Sequence, residues 1–450
     1  MRDFYTRGKR QQLTVVPPKP PVRHPCRIHV GRNRIYLAVA VPALVDERLR
    51  SSMARSSFHL DLVETLPDDA RSAILAGRIW RPDVGGPSVV KIAWQANEAV
   101  IVDISSRYPT MRDLCETATP ATAVSEADGD TIGSLADLLA NTPPDGRDTS
   151  RPWLLAPIDL QAVKAAGVTF AVSLLERVIE ERARGNPASA AAIRTEIEAL
   201  VGSDLAALKP GSDKAQALKS ALLAKGAWSQ YLEVGIGPDA EIFTKAQPMA
   251  SVGTGMDAGL HPVSTWSNPE PEVVVVVGST GKIVGACLGN DVNLRDVEGR
   301  SALLLGKAKD NNASSAIGPF IRFFDGSFSL DDVRQMDVVL SVEGEDGYRL
   351  EGGSSISRIS RDPTDLVAQM IGPHHQYPDG VVLFLGTMFA PVADRDAVGR
   401  GFTHKPGDIV KVSAKRLGTL TNRMRSTDAC EPWVFGTAQL MRNLARRRLI

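Results

Sequence analysis

The chain has 450 residues, 23% charged and 43% hydrophobic, and its 52 basic and 52 acidic residues cancel. That length holds two domains with sizeable cores, and the charge balance excludes a protein drawn to nucleic acid or membrane surfaces by bulk charge. The four cysteines, Cys26, Cys115, Cys287 and Cys430, form no CxxC pair, which excludes a thiolate zinc site and a disulfide framework and fits a reducing cytoplasm.

No apolar run reaches the roughly 20 residues that span a bilayer. The longest, IYLAVAVPALV at 35–45, contains a proline. A basic lead followed by an apolar stretch is the order of a secretory signal, but this lead is long and interrupted by prolines. Residues 1–52 carry 11 Lys/Arg against 3 Asp/Glu, leaving the remainder net acidic. They are expected to be a disordered or non-native extension, with Met53 as the natural beginning. Residues 53–150 then form a small N-terminal α/β domain and linker, and 151–450 a larger domain.

In the small domain AGRIWRP, SVVKIAW and NEAVIVDI predict three strands, and PTMRDLCE a short capped helix. Residues 116–150, rich in Ala, Thr, Asp, Gly and Pro, read as a helix-containing linker ending in a loop. In the large domain AVSLLERVIEERARG has helical spacing and ends at Gly185, with further helices over 187–201 and 214–224. After Gly226 the character changes. EVVVVVGSTGKIVGACLG and VVLSVEGEDGYRLEG predict hairpins, DLVAQMI a short helix, and VVLFLGTMFAP and DIVKVSAKRLGTLTNRM further strands. The fold class is α+β.

Chemistry concentrates at SNPEPEVVVVV. Glu270 and Glu272 are two apart at the mouth of a strand, so both carboxylates face one side. Asp291 lies 19 residues after Glu272, where the returning hairpin strand ends beside them. Such a Glu-x-Glu pair alone is usually just a solvated edge. Three converging carboxylates, however, repel one another unless a hard divalent cation such as magnesium or manganese sits between them.

The segment GNDVNLRDVEGRSALLLGKAKDNNASSAIGPF, together with the Glu-x-Glu strand, resembles the signature of the fumarylacetoacetate hydrolase superfamily over about residues 154–449. The resemblance implies a mixed β-sandwich roll behind a small N-terminal domain. It also implies a cation on Glu270, Glu272 and Asp291 that chelates a 2-oxo acid, with Lys309 facing the substrate. Hydrolases of that family carry Gly-x-Asn-Tyr-x-x-His, whose His, paired with a Glu, activates water. Here the stretch is Gly167-Val168-Thr169-Phe170-Ala171-Val172-Ser173. Ser173 stands in the His position, and a hydroxyl is no near-neutral base.

The Gly-Val-Thr-aromatic-x-x-Ser form, with EIFTK and FLGTMF, is similar to the branch that dehydrates 2-oxo-3-deoxy pentonates of the non-phosphorylated xylose and arabinose routes. That likeness implies conversion of 2-dehydro-3-deoxy-D-pentonate to 2,5-dioxopentanoate and water. Lys309 would stabilise the enolate or act as base, Glu241 would serve the leaving hydroxyl, and Thr387 would orient the substrate. Ser173 and Lys245 would touch the substrate, although Lys245 reads equally well as a solvated strand residue. A homodimer or homotetramer is implied too. The alternative is a hydrolase of an acylpyruvate or 2,4-dioxo acid with another water activator. Arg300 and Asp310 read as outer partners or a surface pair. His374-His375 read as a helix-end or packing pair, Trp228 and Tyr231 as core, and the glycine-rich GTGMDAG and VGIGPDAEIF as turns.

Overall fold

The valine run after Glu270 shows how the chain builds its interior. In the structure, a computed structural model describing residues 58–184, 193, 195, 208–224, 228–389, 391 and 393–450, every residue of this strand is buried. Side chains alternate along a strand. Val273, Val275 and Val277 enter one core with Val338, Leu340, Val342, Val410 and Val412, while Val274 and Val276 enter another with Val163, Ala165, Val382 and Phe384. An unbroken apolar run is what a strand covered on both faces requires. Each such side chain contributes about 1.5–3 kcal/mol on burial.

The strands in chain order are β1 (Leu75–Arg81), β2 (Gly86–Gln95), β3 (Glu98–Asp103), β4 (Asp130–Ser134), β5 (Trp153–Leu155), β6 (Ala162–Gly167), β7 (Glu241–Ala246), β8 (Asp257–Leu260) and β9 (Ser267–Asn268). They continue with β10 (Pro271–Val277), β11 (Ile283–Asp291), β12 (Asn293–Leu294), β13 (Ser315–Phe323), β14 (Asp337–Glu343), β15 (Arg349–Ser355), β16 (Val381–Phe384), β17 (Ile409–Ala414) and β18 (Gly418–Ser426). Among the described residues one sheet runs β4-β3-β2-β1-β13-β11-β10-β16-β6-β7, with β5 on β1. A second runs β15-β14-β17-β18-β8, and β12 pairs with β9. Most pairs are antiparallel, but β16–β6 and β18–β8 are parallel, so both large sheets are mixed. This is the α+β class expected from the pattern.

The three predicted N-terminal strands are β1–β3, and β1 joins β13, so they extend the sheet that carries the acidic hairpin. Residues Ser57–Ile450 pack as one unit. The region read as a helix-containing linker holds two short helices, Pro120–Glu126 and Leu135–Ala140, but also β4, which pairs with β3. β4 is an edge strand of sequence DTIGS with little burial, so it lacks the alternation that announces a strand. GTGMDAG and VGIGPDAEIF are not turns throughout: they supply β8, the end of helix Gln230–Ile236 and the start of β7.

Helices Ala171–Ala183, Asp213–Ala224 and Gln230–Ile236 share a core of Leu174, Val178, Ile179, Leu222 and Leu232. Trp228 and Tyr231 pack there. The extension 1–52 lies outside the described residues, as does nearly all of the helix expected over 187–201. His374 and His375 follow helix Pro363–Met370, and His375 stacks on Tyr377 at 4.7 Å. No helix among the described residues is long and apolar enough to cross a membrane.

Candidate active site

The β10–β11 hairpin assembles the acidic cluster. Its register sets Pro271 against Asn290 and Glu272 against Gly289, and the Asp291 N–H donates to the Glu270 carbonyl at 3.0 Å. Glu270, Glu272 and Asp291 each offer an oxygen within 4.8 Å of the others. They are 4, 2 and 1% exposed. Among the described residues this is the single such group of potential metal ligands.

The cluster attracts the protein's own cations. Lys309, ending helix Leu305–Lys309, donates to Glu270 and, at 3.1 Å, to Asp291. Arg177, on helix Ala171–Ala183, donates to Glu270 and pairs with Glu298 at 2.9 Å. Burial pushes the Glu270 carboxyl up, but Lys309 and Arg177 outweigh it and hold it below the usual carboxylate range. Among the described residues Glu272 accepts only the Gly386 N–H, at 2.6 Å. Burial, then the charges of Asp291 and Glu270, drive it well above that range. Burial opposes the Lys309 charge, yet Asp291, Glu270 and Glu298 more than offset it, so the ammonium is held protonated. In the cation-free chain Lys309 is thus held as an acid, because three carboxylates face it. All donors are oxygens, they converge, and one of them carries an unresolved charge conflict; the set fits a hard divalent cation.

Around the cluster, Glu241, Ser173 and Thr387 line the same cleft with Phe243, Phe389, Glu176, Arg295 and Glu298. Glu241 begins β7 opposite Gly167. A Cβ on Gly167 would lie 2.0 Å from the Glu241 carboxylate, so glycine there makes room for it. Burial and the nearby Glu298 raise the Glu241 carboxyl to about 7, against a smaller pull from Arg177 and Lys309. Ser173 donates to the Phe170 carbonyl at 2.9 Å. Thr387 accepts the Phe389 N–H at 3.1 Å.

Lys245 lies outside that lining. It is 0% exposed, behind Asp291, with its ammonium 2.7 Å from the Asp291 carboxylate, 2.6 Å from the Lys309 carbonyl and 3.0 Å from the Val292 carbonyl. It is therefore no solvated strand residue. Arg300 and Asp310 are exposed, on the surface side of their segment. Sequence reasoning did not single out Glu176, Arg177, Arg295 or Glu298. One signal existed: Ser173, Glu176 and Arg177 stand at i, i+3 and i+4, one face of a helix.

The raised Glu241 carboxyl makes a prediction about stability. The folded state holds a proton that the unfolded chain releases near 4.5, so this contribution is present at low pH and is lost as pH rises through about 7. Glu241→Gln should shrink the fall in urea midpoint between pH 5 and pH 8 in cation-free protein. An unchanged difference would contradict the burial argument.

Comparison with known proteins places this geometry. Residues 237–425 match the model of the fumarylacetoacetate (FAA) hydrolase C-terminal family. The chain is 32% identical over 180 residues, 40% of its length, to a 2-dehydro-3-deoxy-D-arabinonate dehydratase of Saccharolobus solfataricus. It is 29% identical over 192 residues, 43% of its length, to a probable 2-keto-3-deoxyxylonate dehydratase of Haloferax volcanii. The matches span 57% and 62% of those relatives' own lengths. A solved structure of 2-keto-3-deoxy-D-arabinonate dehydratase, complexed with magnesium and 2,5-dioxopentanoate, shares the fold with a TM-score of 0.52. Identity there is 21%, over 78% of this chain and 99% of that one. Residues 237–425, which carry the acidic hairpin, Lys309, Glu241 and Thr387, are thus the part of the chain that matches the fumarylacetoacetate hydrolase family.

Proposed function

We propose that this protein is a divalent-cation-dependent hydro-lyase that converts 2-dehydro-3-deoxy-D-pentonate to 2,5-dioxopentanoate and water. The observation that carries the reading is the company of the acidic cluster: a carboxyl poised near neutrality and a protonated Lys309, with no imidazole among the described lining residues to activate water for C–C cleavage. The dehydratase names of the two relatives point the same way. The chemistry is assigned to residues 151–450, with 53–150 in support, and to a homodimer or homotetramer.

Glu270, Glu272 and Asp291 would hold magnesium or manganese. When bound, such a cation supplies Lewis acidity at the carboxylate and keto oxygens of a 2-oxo acid. The Lys309 ammonium places a positive charge where the C2 oxygen gains electron density as the C3 proton leaves. Glu241 populates both of its forms near neutral pH, which suits a group that takes a proton and returns it. As carboxylate it accepts the C3 proton, and as acid it protonates the departing C4 hydroxyl, leaving a C3–C4 double bond. Loss of a C5 proton and tautomerisation give the aldehyde, so one water is lost and no redox partner is needed. The Thr387 and Ser173 hydroxyls orient the substrate.

The test is an assay with magnesium and 2-dehydro-3-deoxy-D-pentonate, coupled to an aldehyde dehydrogenase and run beside an EDTA-treated control. Metal-dependent aldehyde is expected. Pyruvate from an acylpyruvate, without aldehyde, would replace this reading by hydrolysis.

A further inference from the structure

One wall of the cleft is set from a place with no chemistry of its own, the edge strand β15 of the second sheet. Gly352 sits within β15 opposite Leu340, in an ordinary extended conformation that any residue adopts. The backbone therefore does not ask for glycine, and glycine weakens a strand. The ring of Phe389 does ask for it. A Cβ on Gly352 would lie 1.9 Å from Phe389 Cε2 and 2.5 Å from Cδ2 and Cζ.

The loop carrying that ring is pinned to the same strand. The Met388 N–H donates to Ser354 Oγ at 3.1 Å, and the Ser355 N–H reaches Met388 Sδ at 3.4 Å. The Phe389 N–H is held by Thr387. Phe389 is thus a fixed ring lining the acidic cleft. The other aromatic in the lining, Phe243, already has the Lys309 ammonium 5.6 Å from its ring centre.

A place in that lining gives Phe389 its task. The three carboxylates are buried, whereas Phe389, in the same lining, is half-buried. A ligand whose 2-oxo-acid head meets the carboxylates must fit its tail among the remaining lining, of which that ring is part. We propose that Phe389, seated on Gly352, is the specificity-determining residue that limits the chain length of the 2-oxo acid, so that five-carbon acids are accepted and six-carbon acids rejected. Gly352 acts as a positioning residue. The inference rests on the cleft binding 2-oxo acids, as in the reaction proposed above.

The experiment uses the full chain loaded with magnesium. Calorimetry measures Kd for straight-chain 2-oxo acids of three to seven carbons, and kcat/KM is compared for five- and six-carbon 2-oxo-3-deoxy acids. Affinity should drop about tenfold or more between five and six carbons, the size of effect one methylene has in a fitted pocket. Phe389→Ala should remove that step and Phe389→Leu reduce it. Gly352→Ala should also reduce it, although it removes no atom of Phe389, because it displaces the ring. A step unchanged in Phe389→Ala and Gly352→Ala proteins that melt like the native chain would overturn the proposal. A shifted step without any aldehyde would keep the gauge and remove the dehydratase reading. Aldehyde with an unshifted step would do the reverse, and no binding of any 2-oxo acid would remove both.

Discussion

Glu272→Gln should give a protein that loses its divalent cation yet is more stable than the native chain when no cation is present. The two effects have opposite signs because the carboxylate is costly to the empty fold. It is 2% exposed, faces Glu270 and Asp291, and receives a single backbone N–H from Gly386. A buried charge with so little compensation is tolerated only where something else neutralises it. The amide keeps the shape and can still accept the Gly386 N–H, but it removes one of three repelling charges.

The pH dependence follows. A carboxyl raised above its ordinary 4.5 leaves the folded state holding a proton, so the native cation-free protein loses stability as pH rises. The variant's stability should be flatter with pH and higher at pH 8. Cation affinity should fall by at least about 100-fold, beyond the 10–100-fold typical of losing a ligand's supporting partner. The native chain alone should then gain about 2.7 kcal/mol when magnesium is held at 100 times Kd. Melting curves with and without magnesium read both signs. A variant that is less stable when empty, or that binds magnesium normally, would refute the account. Calorimetry in buffers of different ionisation enthalpy should also show a proton released as the native chain takes up its cation.

Lys245→Met should be the most destabilising single change near the site. The Lys245 ammonium joins two functional residues from behind, the Asp291 carboxylate and the Lys309 backbone carbonyl, and also reaches the Val292 carbonyl and, at 3.3 Å, Ser314 Oγ. Methionine fills much of the volume but leaves these acceptors without their donor. Removing one partner of a buried ion pair costs about 3–5 kcal/mol. Magnesium affinity should drop about 10–100-fold as Asp291 loses its anchor. Lys245→Arg should rescue neither quantity, since a planar fork does not reproduce an ammonium aimed at Asp291 and two carbonyls. Urea midpoints and calorimetric affinities decide. Stability within 1 kcal/mol of native and an unchanged Kd would mean that Lys245 is not the brace described.

What could be read without coordinates was local. The Glu270–Glu272 pair and Asp291 are joined by one hairpin of 22 residues, so strand alternation and a single turn bring them together. β10 announces itself by composition. Glu241, Lys309 and Thr387 stand out only through a family likeness, which marks residues without locating them.

Their convergence belongs to the sheet order. β7 reaches the cluster only because β6 pairs in parallel with β16, more than two hundred residues later in the chain, and β16 with β10. The same order turns Lys245 from a plausible surface or substrate contact into a buried brace, brings Arg177 against both Glu270 and Glu298, and sets the ring of Phe389 on Gly352. Periodicity tells a residue which face of its own element it occupies. Which element lies across from that face is decided by contacts between distant segments, whose energies depend on how all of them pack at once, and that is written in the tertiary structure alone.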